Sequence, residues 1–383
     1  MTTISFLVSV GLLVLCGTTA LPAQTLTVLH TFTNGTDGAY PSAGLIKDSE
    51  GNLYGTSFGD VNLTNGAVFK ISTSHDFTIL HTFAGGTQDG ANPRAPLLLD
   101  PQNNLYGTTN LDGKYGFGDV FKVTATGTER PFYSFSGSME GANPSTGLTW
   151  GTNGDLYGTT ADTAFELNSA GDETIVYLFS ERGDAGWSPS SRLVRNAQGN
   201  FYGTTLCGGP YSCSLGFGCG TVFELTPTGT VTVIYSFTGA ADGGNPEGGL
   251  ILDAAGNIYG VAAGGSTSCR GGCGVVFKLT PAGEETVLYS FKGGTDGDGP
   301  DGVLLRDSKG NFYGTTGAGG AHAQGTIFEL TPSGKEKVLY SFTGGDDGSV
   351  PEGGVVEDSQ GNFYGLARDG GASLYGTIFE FTP

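Results

Sequence analysis

The sequence predicts an all-β fold, a seven-bladed β-propeller with four antiparallel strands per blade. Three observations predict it: one motif recurs about every 50 residues, the spacings inside each copy are fixed, and the composition suits turns and short strands. The motif is a variant of Asn-Leu-Tyr-Gly-Thr-Thr, with tyrosines at Tyr54, Tyr106, Tyr157, Tyr202, Tyr259, Tyr313 and Tyr364. Glycine supplies 69 of 383 residues and apolar residues 37%, with no helix-period stripe.

The first strand of a copy, A, is a Pro-x-x-Gly-Leu-Ile-like run beginning at Pro41, Pro93, Pro144, Pro189, Pro246, Pro300 and Pro351. The tyrosine of the second strand, B, follows 13 residues later every time, from 41 to 54 through 351 to 364. The turn between them, as in Asp253-Ala-Ala-Gly-Asn257, places Gly where φ is positive and Asp or Asn where a side chain can cap. Strand C is anchored by Phe69, Phe121, Phe165, Phe223, Phe277 and Phe328. Strand D ends 14 residues further on, at Phe83, Phe135, Phe179, Phe237, Phe291 and Phe342. Each strand is short and rich in β-branched or aromatic residues. Length varies mainly between B and C, from 8 residues (157 to 165) to 21 (202 to 223). In an antiparallel meander the B-to-C and D-to-A loops share one end, so the variation is expected on one face.

Phe379 opens a last C strand that ends at Pro383 without a D strand, while an unattached D-like strand, Leu26 to Phe32, precedes the first copy. Strand 26–32 is therefore expected to pair with strand 376–382 and close the ring, which also removes exposed sheet edges. Residues 1–23 read as a signal peptide: the apolar run Ile4 to Cys16 is too short to span a bilayer, and Ala20 and Ala23 are small residues suited to cleavage. Residues 24–383 are left as a single propeller domain, secreted to the exterior or the periplasm, with no membrane span and expected as a monomer. The formal charge of −20 repels phosphate backbones, which excludes nucleic acid as a partner.

The D-to-A loops repeat an acidic residue, at Asp37, Asp89, Glu140, Asp184, Asp242, Asp296 and Asp347. As a ring at the channel mouth these would hold calcium or a cationic ligand through hard oxygen atoms. The structural alternative is an Asx-type turn that steers the outer strand into the next inner one. Cys213 with Cys219 and Cys269 with Cys273 are natural disulfide pairs in an exported chain, leaving Cys207 free. Tyr40, Tyr115, Phe117, Trp187, Tyr211, Phe217 and Tyr375 fall on the variable loops, where aromatic rings can stack on sugars or peptide side chains. His30 and His81 replace the tyrosine of a D strand and are read as packing residues. The chain carries no phosphate loop of the Walker type and no His-Glu-x-x-His.

The run Gly-Asn-Phe-Tyr-Gly-Thr-Thr, then Gly-Thr-Ile-Phe-Glu-Leu-Thr-Pro-Ser-Gly, then Val-Leu-Tyr-Ser-Phe-Thr-Gly-Gly at 310 to 345 resembles the bacterial GloVer tandem repeat. The resemblance covers nearly the whole chain after residue 23. It implies a choice-of-anchor protein, although this sequence ends at Pro383 without an anchor, which points to a freely secreted form. The strand order is also similar to that of NHL-type propellers, a likeness of fold alone.

The expected function is a non-catalytic binding or scaffolding module for an extracellular glycan, peptide or protein, working through the variable loop face. The alternative is a metal-dependent enzyme of lactonase or lyase type, which needs several carboxylates converging at the channel mouth. A structural protein of the cell envelope is a third reading.

Overall fold

A computed structural model describes residues 24–60, 64–137, 141–180, 185–213, 217–265 and 272–383. The segment read as a signal peptide lies outside them. Among the described residues every regular element is a strand, and the strands pair into sheets of four or five, with one sheet of eight. The eight-stranded sheet joins the last two repeats through a single parallel bridge, Val303 to Gly354. Elsewhere each repeat is its own antiparallel sheet.

The fifth repeat shows why these residues make this unit. Its strands are Ile251–Leu252, Ile258–Ala262, Val275–Leu279 and Glu285–Ser290, paired in sequence order. In the A-to-B turn the Asp253 carboxylate accepts the backbone N–H groups of Ala255 and Asn257, the Asn257 amide and the Tyr259 hydroxyl, at 2.8 to 3.0 Å. That set of donors explains why Asp, Asn and Tyr recur at this spacing. Burial works to raise Asp253, but the donors outweigh it and hold the carboxyl below its ordinary value. The C strand is buried along its length, with Phe277 fully enclosed. Its ring lies over Gly260, where a Cβ would meet the ring at 2.7 Å, so the Tyr-Gly of the motif is a close-approach glycine. A bulge between Val276 and Phe277 twists the C–D pair, and the same irregularity recurs in the other repeats.

Neighbouring sheets meet through one repeated contact: the phenylalanine ending a D strand stands edge-on to the C-strand phenylalanine of the next repeat. Phe83 meets Phe121, Phe135 meets Phe165, Phe237 meets Phe277, Phe291 meets Phe328 and Phe342 meets Phe379, with centroids 5.1 to 5.2 Å apart. Phe179 and Phe223 make the tilted form of it at 5.2 Å. Phe32 makes the same contact with Phe69 at 5.5 Å.

Strand Thr25–Thr31 pairs antiparallel with strand Thr377–Thr382, with Val28 opposite Phe379 and His30 opposite Ile378. Phe32, Leu45, Phe69, Leu366 and Ile378, from the two ends of the chain, share one core cluster. Among the described residues no helix is long and apolar enough to cross a membrane.

Candidate functional site

The A segments converge on one place. Each opens on a residue with positive φ immediately before its proline: Tyr40, Asn92, Asn143, Ser188, Asn245, Gly299 and Val350, at 52 to 62°. Asn and Gly tolerate this region, but a β-branched valine there is strained, and so held by its surroundings. Part of that hold is a hydrogen bond from the same residue to a loop carbonyl of the preceding repeat. Asn92 N–H reaches Asn65 O at 2.8 Å, Asn143 reaches Phe117 at 2.8 Å and Val350 reaches Gln324 at 2.9 Å. Tyr40 reaches Tyr375 at 2.9 Å in the same way. The proline that follows seats against a glycine of that loop: a Cβ on Gly376, whose φ is +98°, would meet Pro41 at 2.6 Å. The chain is thereby turned inward, and the residue after the proline is presented to a common cavity.

That cavity measures about 470 Å³ and is lined by A segments of every repeat. The residues after the prolines are Ser42, Arg94, Ser145, Ser190, Glu247, Asp301 and Glu352, and all of them line it. The first four repeats supply hydroxyls and one guanidinium, the last three carboxylates. Arg368 bonds Glu352 and reaches Asp369 at 3.0 Å. Arg192, also on the wall, donates to Thr149 Oγ1 at 3.3 Å. Burial, the charge of Arg368 notwithstanding, pushes Glu352 up to about 7, helped by Asp301, Asp369 and Glu247. Burial likewise raises Asp301 and Glu247, which repel each other. A smaller cavity of about 230 Å³ adjoins, lined by Tyr40, Ser42, Phe58, Arg94, Glu352 and Arg368, with the Arg94 guanidinium 4.1 Å over the Phe58 ring.

The acidic loop residues sit elsewhere. Asp37 accepts from Thr33 N–H, Thr33 Oγ1 and Gly35 N–H and contacts His30; Asp89 accepts from Ala84 N–H and contacts His81. Asp242, Asp296 and Asp347 cap their own loops and accept the hydroxyls of Tyr235, Tyr289 and Tyr340. None of these five lines the larger cavity. Asp184 and Glu140 lie outside the described residues.

Of the loop aromatics, Tyr115, Tyr211 and Phe217 are about half exposed, at 49, 48 and 54%. Trp187 meets Phe217 edge-on at 5.8 Å, and Tyr375 meets Tyr40 at 5.7 Å. Cys213 and Cys219 form a disulfide with Cα atoms 5.1 Å apart, and Cys273 is also disulfide-bonded, while Cys269 lies outside the described residues. Cys207 is a free thiol.

The cavity residues Arg94, Glu247, Asp301 and Glu352 were not singled out from sequence. A signal for them existed: in a segment of fixed length, the residue after the proline changes through Ser, Arg, Ser, Ser, Glu, Asp and Glu while the proline itself and the leucine or valine four residues after it recur.

A sequence profile of the Gloeobacter/Verrucomicrobia repeat matches residues 18–164 and 161–379. The chain belongs to that repeat family. No curated protein matches its sequence. Among solved structures, two extracellular domains of hybrid two component systems from B. thetaiotaomicron are similar, at TM-scores of 0.60 and 0.61. Their identities to this family member are 13 and 11%, covering 94 and 93% of its chain. It spans only 41 and 40% of their lengths, and the likeness is one of fold, β-propeller-like. A gluconolactonase from Xanthomonas campestris aligns at a TM-score of 0.44 and 13% identity, over 90% of this chain and 97% of its own.

Proposed function

We propose that residues 24–383 of this repeat protein form one closed seven-bladed ring, exported from the cell, that binds an extracellular glycan or peptide at the mouth of its central channel. Support for closure is the equivalence of contacts: Phe32 to Phe69 repeats the ring contact of the internal junctions, and Tyr40 to Tyr375 repeats the backbone bond made by Asn92, Asn143, Asn245, Gly299 and Val350. Support for export is the disulfide between Cys213 and Cys219, the apolar leader-like segment and the extracellular neighbours.

The observation that carries the binding reading is divergence within identity. The residue after each proline occupies one equivalent place on the cavity wall, yet those residues differ in charge and size. A cavity of about 470 Å³ is in the range of small-ligand sites, and its mixture of serine hydroxyls, carboxylates and arginines suits a polyhydroxylated or zwitterionic ligand. Exposed Tyr211 and Phe217 offer stacking surfaces for a longer one.

The lactonase or lyase reading asks for carboxylates converging on a metal. Among the described residues, the group of three ligand-bearing side chains whose atoms lie within 4.8 Å of one another is His81, Asp89 and Glu129, none of which lines the mouth. Thermal shift against a panel of neutral, amino and acidic oligosaccharides and short peptides tests the proposal. A ligand that raises the melting temperature of the parent but not of Glu352→Gln or Asp301→Asn supports it. A ligand whose effect survives both substitutions, or turnover of lactones by the metal-supplemented protein, overturns it.

A further inference from the structure

Each D strand carries a tyrosine or histidine two residues before its final phenylalanine, and at five junctions among the described residues it contacts the loop aspartate. Between the fourth and fifth repeats, and again between the fifth and sixth, this is a three-cornered cluster. Tyr235 donates to Asp242 at 2.9 Å with Glu285 close by, and Tyr289 donates to Asp296 at 3.0 Å with Glu336 close by. The glutamate opens the D strand of the following repeat, so the cluster bridges two neighbouring sheets. There the phenol donates its proton to the aspartate.

The same corner between the first and second repeats is built from different chemistry. His81 takes the place of tyrosine, with Nε2 at 3.2 and 3.4 Å from the two Asp89 oxygens, and Glu129 supplies the third corner. One ligand atom from each of the three lies within 4.8 Å of the other two. An imidazole presents a lone pair where a phenol presents a proton, which converts a hydrogen-bonded clasp into a set of metal ligands. The other histidine of the series, His30, lacks the third corner. It also contacts its aspartate, Asp37, but its ring stacks on Phe77 at 3.6 Å, where the other junction has Glu129.

A second feature is confined to the same corner. Asp119 is only 1% exposed, and neither carboxylate oxygen has a hydrogen bond of ordinary geometry, Ser134 being the polar side chain beside it. Equivalent positions hold Ala67, Thr163, Thr221, Val275, Thr326 and Thr377, which carry no charge. Burial, with the charges of Asp89 and Asp112, pushes Asp119 up to about 6. Burial and Asp89 push Glu129 up to about 7, with His81 the one group acting against it. This corner thus brings three carboxylates, Asp89, Asp119 and Glu129, together around one imidazole.

We propose that His81, Asp89 and Glu129 form a binding site for a divalent transition-metal ion, with buried Asp119 adding negative potential from behind. One nitrogen and two carboxylate donors suit zinc, cobalt or manganese better than calcium or magnesium, which favour all-oxygen shells. Donor atoms around such an ion, each at about 2.1 Å, sit roughly 3 to 4 Å apart, so the side chains close in slightly on binding. The ion would take the place of the proton shared in the tyrosine clusters and staple the first sheet to the second.

The test is calorimetric titration of the chelator-stripped protein with zinc and manganese chloride, alongside thermal melts. One ion per chain is expected, with a higher melting temperature. His81→Tyr installs the residue found in neighbouring repeats, so it is expected to fold and to weaken binding by at least about tenfold. Glu129→Gln provides a second reading should His81→Tyr fold poorly, and His30→Tyr is expected to leave binding unchanged. Absence of binding in the parent, or equal affinity in both His81→Tyr and Glu129→Gln, overturns the proposal.

Discussion

The rim and the mouth of this molecule are built from the same repeated segment and behave oppositely. At the rim, an aspartate in the D-to-A loop meets the aromatic or imidazole side chain of a D strand at each described junction that retains it, at Asp37, Asp89, Asp242, Asp296 and Asp347. At the mouth, equivalent positions hold serine, arginine, glutamate or aspartate. Positions that repeat are tied by bonds that the fold needs in every copy. Positions that diverge while the backbone stays constant are free of that demand, and there individual chemistry can accumulate.

The comparison breaks first if the two chain ends are not an ordinary junction. Deleting residues 25–32 strips one strand from the sheet of the last repeat and removes the Phe32–Phe69 contact. The expected outcome is loss of cooperative folding or a melting temperature lowered by more than roughly 10 °C, measured by circular dichroism. Next, Phe379→Ala and Phe328→Ala, both fully buried in equivalent places, should each cost about 3 to 5 kcal/mol in urea unfolding. A much smaller cost at Phe379 would show the last sheet to be peripheral.

A subtler effect separates rim from mouth by pH. Burial raises Glu285 at the rim and Glu352 at the mouth to about 7, above the ordinary value of 4.5. A carboxyl raised on folding favours the folded state fully below its unfolded pKa and loses that contribution as pH rises through 7. Stability should therefore decline between pH 5 and 8. Glu285→Gln should flatten the decline by about 1 kcal/mol after allowance for solvent screening. Glu352→Gln should flatten it by a similar amount, because the opposing charge of Arg368 is already contained in the raised value. The turn aspartates Asp48, Asp100, Asp253, Asp307 and Asp358, held below their ordinary value by their donors against the effect of burial, lose their contribution only below about pH 4. The smallest effect is expected at the free thiol: Cys207→Ser should move stability by no more than about 0.5 kcal/mol.

Much of the fold was legible because its signals are local. Asp, Gly, Asn and Tyr at fixed offsets encode a turn whose hydrogen bonds close within six residues, as at Asp253 and Tyr259. The pairing of 26–32 with the last strand was legible from a shortfall at one end matched by a surplus at the other. Glu247, Asp301 and Glu352 were not legible, because the acidic residues drawing notice were those embedded in Asp-Gly loops. Those loop aspartates spend their oxygens on their own backbone, and no spacing rule reveals which carboxylates are left facing a cavity.

By itself the sequence determined the repeat, its turns and the order in which strands pair, since each depends on residues close together in the chain. Only the tertiary structure decided which side chains meet. Seven prolines separated by about 50 residues present their neighbours to one cavity because identical sheets pack around it, and packing is set by Phe-on-Phe contacts between copies. The same holds for His81 and Glu129, 48 positions apart, which become partners only when one sheet is laid against the next.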